Sequence, residues 1–61
     1  MSTQQRLDHL TNAIISIESL QQELFVATIH NRPLPTTYTQ EQLLEIKQEL
    51  VDRFEALANK L

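Results

Sequence analysis

The chain has 61 residues, a formal net charge of −3, and neither cysteine nor glycine. Disulfides and thiolate metal sites are therefore excluded, and glycine-dependent phosphate cradles and nucleophile elbows go with them. A single domain this small buries only about 60% of the surface its unfolded chain exposes, so self-association or a partner protein is the expected staple.

The first helix is predicted over residues 3–30. Ser2 followed by Gln5 fits a capping box, in which cap hydroxyl and third-residue side chain each satisfy a backbone N–H. Leu10, Ala13, Ile17, Leu20, Leu24 and Ala27 follow the 3,4 spacing of a heptad seam, and Leu7 and Ile14 widen it. Ile15, Val26 and Ile29 fall on a second face, with Phe25 at the border between the two. Phe, Val, Thr and Ile in Leu24 to Ile29 favour a strand locally. The run continues the helical seam, however, and no second strand-like segment exists to pair with it.

A connector is predicted over residues 31–38. Asn31 tolerates the left-handed cap position, Pro33 forbids continuation, and Arg32 before it is pushed toward extended geometry. Arg32 to Pro35 reads RPLP, which resembles an SH3 ligand of the R-x-L-P-x-x-P kind with Tyr38 where the closing proline would stand. Stiffening of the turn explains the prolines more simply. Another expectation is that Pro33, Leu34 and Pro35 fold back over Val26 and Ile29.

The second helix is predicted over residues 39–60. Thr39 and Gln42 form a second capping box, and Tyr38 with Leu43 fits a hydrophobic staple. Leu43, Ile46, Leu50, Phe54, Leu57 and Leu61 make the main stripe, and Leu44, Val51 and Ala58 recur along one flank. The apolar arc is about 160° wide, more than one neighbouring helix needs. Glu41, Glu45, Glu49 and Asp52 mark an acidic, solvated face that a basic partner surface would match. Lys47 sits inside the apolar arc. It either snorkels or makes an inter-helix ion pair with Glu18 or Glu23 that fixes register, and a contact with Gln21 is a further option.

The expected fold is all-α: one domain, residues 1–61, forming an antiparallel helical hairpin. Two such hairpins would pair as a homodimer, or a higher homo-oligomer, into a four-helix bundle that buries the second faces. The candidate subunit interface is Ile15, Leu24, Phe25, Val26, Ile29, Leu44, Val51 and Phe54.

Chemistry finds little to work with. Asp8 and His9 are adjacent on a helix and point about 100° apart, which is poor for one to orient the other. His30 is placed to cap a helix end. No catalytic, cofactor or metal residue is expected; His9 and His30 share no ligand spacing. Leu7, Leu10, Ile14 and Ile17 with Glu18 resemble the first long helix of the all-helical chorismate mutases, where an L-x-x-L-R-x-x-I-D-x-I-D run recurs. The arginine position of that run holds Thr11, its first aspartate position holds Ile15, and the chain is too short for the family's third helix. The activity is not expected.

The five basic residues, Arg6, Arg32, Lys47, Arg53 and Lys60, are scattered, which disfavours nucleic acid as a partner. No stretch approaches a membrane span, and the N-terminus lacks the order of a secretory signal, so a cytoplasmic location is expected. The function read from these features is a small non-enzymatic interaction or regulatory module, an adaptor or inhibitor of another protein, whose partner the sequence does not identify. The alternative is a dimeric four-helix-bundle regulator that binds nucleic acid. It requires Arg6, Arg53 and Lys60 to gather on one face.

Overall fold

A computed structural model describes residues 2–61. Two helices, α1 (Thr3–Ile29) and α2 (Gln40–Ala58), pack against each other, and the described residues contain no strand. Leu24 to Ile29 are helical throughout.

The helix starts are held by reciprocal caps. Ser2 Oγ accepts from the Gln5 N–H at 3.2 Å, while Gln5 Oε1 accepts from the Ser2 N–H at 3.1 Å. Thr39 and Gln42 repeat the pattern at 3.1 and 2.9 Å. Each box satisfies two backbone donors that a helix start would otherwise leave without partners.

The end of α1 does without glycine. Asn31 takes the left-handed conformation, φ 53°. The Arg32 N–H then donates to the Ala27 carbonyl at 2.8 Å and the Asn31 N–H to the Thr28 carbonyl at 3.4 Å. That pair of bonds is the Schellman arrangement, and asparagine is the residue after glycine best suited to it. Pro33 follows and blocks a further turn. The end of α2 differs: Lys60 and Leu61 close on the carbonyls of Leu57 and Ala58, each at 3.1 Å, with no left-handed residue. Leu61, expected in the α2 stripe, lies past the helix and is 76% exposed. A side chain beyond the last helical turn no longer points along the stripe.

The helices run side by side, and one polar tether fixes the start of α2 to α1. The Gln40 Nε2 donates to the Gln21 carbonyl at 2.9 Å. That carbonyl belongs to a helix interior and uses a second lone pair for the contact.

The core is thin. Leu7, Leu24, Ala27 and Leu43 are buried, and only Leu43 reaches full burial. The Cα extents are 45 × 17 × 14 Å and the radius of gyration is 13.9 Å. A compact domain of this length would have about 10.5 Å. The hairpin is therefore a single layer, and layers of this kind normally bury an apolar face against another.

Candidate interaction surfaces

Two surfaces lie on opposite flanks of the α1–α2 seam. Leu10 and Ile14 both border it, but their neighbours diverge. At about 100° per residue, His9 turns to one flank and Ile15 to the other.

The Ile15 flank is apolar. Ile15 is 57% exposed, Phe25 59%, Ile29 61%, Leu44 58% and Val26 44%. Thr11, Ile14 and Ile15 form a groove of about 320 Å³ with Val51 and Phe54, both half-buried. A second groove, of about 530 Å³, runs past Gln22, Phe25 and Val26 to Gln40. Glu18 lines both, so the two grooves are continuous along one face.

Leu24 does not belong to this face. It is 5% exposed, packed on the inner side of α1 with Leu7 and Ala27, and unavailable to a second chain. Its position on the heptad seam explains why: the seam is spent on α2. Nor does the connector cover Val26 or Ile29. Pro33 and Pro35 line a groove beside Val26 and Ala27 without closing it, and Leu34 is itself 59% exposed.

Lys47 reaches across to Glu18, Nζ to Oε2, at 3.6 Å, with the two side chains 33% and 52% exposed. That is longer than the about 2.7–2.9 Å of a charge-assisted hydrogen bond, and so exposed a pair contributes about 0–1 kcal/mol. Glu23 is not the partner. It lies beside the connector, lining the groove with Arg32 and Pro33. Gln21 contributes its backbone carbonyl, which accepts from Gln40. The pair stands in the middle of the apolar face, where Glu18 borders both grooves.

On the acidic side of α2, Glu41, Glu45, Glu49 and Asp52 are all exposed. Two of them are engaged along the helix. The Gln48 Nε2 donates to Asp52 Oδ1 at 3.0 Å, and Arg53 pairs with Glu49 at 2.7 Å. Glu41 stands in the first turn of α2, where the helix dipole favours a carboxylate.

The opposite flank carries a groove of about 430 Å³ at the end of the hairpin where the termini meet. Its floor is Leu10, Ala56 and Leu57, and its rim is Arg6, His9, Arg53 and Lys60. Three of the chain's five basic residues gather here. On the wheel of α2 alone, Arg53 and Lys60 are neighbours. Bringing Arg6 and Leu10 to them takes the antiparallel register of two helices.

Elsewhere, hydroxyls that could carry chemistry are spent on their own helix. Thr11 and Thr28 donate to carbonyls four residues back at 2.9 and 2.8 Å, and Ser16 does so at 3.0 Å. Asp8 accepts from Gln4 Nε2 at 3.1 Å, which turns its carboxylate toward the preceding turn. Among the described residues no group of three His, Asp or Glu could hold a metal, and no helix is long and apolar enough to cross a membrane. The chain matches no protein-family model, no curated protein and no solved structure.

Proposed function

We propose that the chain is a non-catalytic interaction module that works as a homodimer, two hairpins pairing through the Ile15, Phe25, Val26, Ile29 and Leu44 face into a four-helix bundle. The observation that carries this reading is the exposure of five large apolar side chains along one flank of a single-layer hairpin. Monomeric proteins rarely leave such a continuous patch in water. In the bundle the Lys47–Glu18 pair lies between subunits, largely withdrawn from water. There its contribution is to register more than to affinity, because a mismatched partner leaves a desolvated charge unpaired.

The module then acts as an adaptor or inhibitor by offering its remaining surfaces to another protein. The acidic side of α2 with Glu41 and Glu45 is one such surface, and the basic groove is another. Sedimentation of the Phe25→Asp/Ile29→Asp double variant tests the pairing. The wild type is expected as a dimer and the variant as a folded monomer. A variant that stays dimeric places the interface elsewhere.

Nucleic acid is the second reading, favoured by one observation: Arg6, Arg53 and Lys60 share a groove. Against it stand the net charge of −3 and the commitment of Arg53 to Glu49. Phosphate contacts would make binding fall steeply with salt.

A further inference from the structure

We infer that the groove between Arg6 and Lys60 is a docking site for an acidic amphipathic helix of a partner protein. The inference goes beyond the dimer reading, since it concerns the flank that pairing leaves uncovered.

The groove has the form of a vacant third position beside two helices. Its floor is apolar, with Leu10 from α1 and Ala56 and Leu57 from α2. Cations stand on both walls, Arg6 on α1, Arg53 on α2 and Lys60 in the turn just past the end of α2. In helix bundles the residues flanking an apolar seam select the partner by charge, and a seam flanked by cations on both walls selects carboxylates. Arg53 and Lys60 are seven residues apart, with Lys60 two residues past Ala58, the last residue of α2. An occupying helix meets each of them with an acid. A third acid on its other edge meets Arg6, and leucine-like residues between them rest on Leu10 and Leu57. Glu49 already holds Arg53 at 2.7 Å in an exposed pair worth little, so an incoming carboxylate displaces it at small cost.

Nucleic acid fits less well. The apolar floor offers nothing to a phosphate chain, and three cations neutralise only a few phosphates. A second copy of this chain could present Leu44 and Val51 flanked by Glu41, Glu45 and Asp52. That contact pairs two different patches, and such contacts propagate into open chains rather than closed dimers.

The test uses the full chain and a fluorescein-labelled peptide of about 18 residues, long enough for five helical turns. The peptide carries leucine on the seam and glutamate on both flanks, and companion peptides carry glutamine or lysine in place of glutamate. Fluorescence anisotropy is read at low and moderate salt, with a mixed-sequence single-stranded DNA alongside. The glutamate peptide is expected to bind about tenfold or more tighter than the glutamine peptide. The Arg6→Glu/Lys60→Glu variant, checked for unchanged helicity and mass, is expected to lose the glutamate peptide and to gain the lysine peptide. That exchange separates recognition from misfolding. Equal binding of the glutamate and glutamine peptides, absence of the exchange, or DNA binding tighter than the peptide overturns the inference. So does growth of the wild type beyond a dimer that the double variant abolishes, which would assign the groove to a second copy. A dimer that ignores the glutamate peptide overturns this inference and leaves the dimer reading standing; a monomer that binds it does the reverse.

Discussion

Leu43 and Leu44 are adjacent in sequence and opposite in environment, at 0% and 58% exposure. Truncating each to alanine separates what holds the hairpin from what covers it. Leu43 fills the space between α1 and α2, so Leu43→Ala removes its full transfer free energy and leaves a cavity. The cost is expected at about 2–5 kcal/mol. A chain of this length has a total stability of about 3–9 kcal/mol, so most of it goes. Leu44 in an isolated hairpin has lost less than half its surface to burial. Leu44→Ala there costs about 1 kcal/mol or less, because only that buried share of the about 1.5–3 kcal/mol for full burial is forfeited. In the paired state a second hairpin covers Leu44, and the cost rises toward that of Leu43→Ala. Alanine is at least as good a helix former as leucine, so neither change acts through the backbone. The assay is urea denaturation followed by circular dichroism across a hundredfold range of protein concentration. A Leu44→Ala cost that grows with concentration is expected. A cost that stays small at every concentration refutes the covered face, and a negligible cost for Leu43→Ala refutes the packing itself.

Other expectations follow from the helix ends and the central ion pair. Thr39→Ala should cost about 1 kcal/mol by removing the cap of α2, read as a drop in melting temperature, with Thr39→Ser nearly neutral. Asn31→Gly should be tolerated, whereas Asn31→Val, which resists positive φ, should cost about 1–2 kcal/mol; equal stability of the two would contradict the left-handed cap. Lys47→Leu should leave the hairpin as stable or more so while broadening the distribution of oligomers in sedimentation. If it changes neither oligomer size nor the cooperativity of melting, the register role of the Lys47–Glu18 pair is wrong.

The features legible in the sequence were the local ones. A capping box is a four-residue pattern, and both boxes in the structure pair the residues that the spacing singles out, Ser2 with Gln5 and Thr39 with Gln42. Asn31 beside Pro33 marks a helix end by the same short-range logic. The all-helical character and the packing of two helices follow from seam spacing, which is a property of each helix alone. Features that depend on two helices at once were harder to read. A helical wheel gives the direction of Leu24 but not how completely α2 covers it, so the wheel places Leu24 at the subunit interface whereas it is 5% exposed. Leu61 continues the stripe in sequence, but the helix that carries the stripe ends at Ala58. The basic groove required the offset between α1 and α2, which sets Arg6 opposite Lys60. The Gln40 tether to a mid-helix carbonyl has no sequence signature at all.

Pairing of hairpins is the central claim, and mass in solution tests it most directly. Sedimentation equilibrium at micromolar concentration is expected to give twice the 7.1 kDa of one chain, dissociating on dilution. A single species of 7.1 kDa over the whole range, with the helices intact, would contradict it.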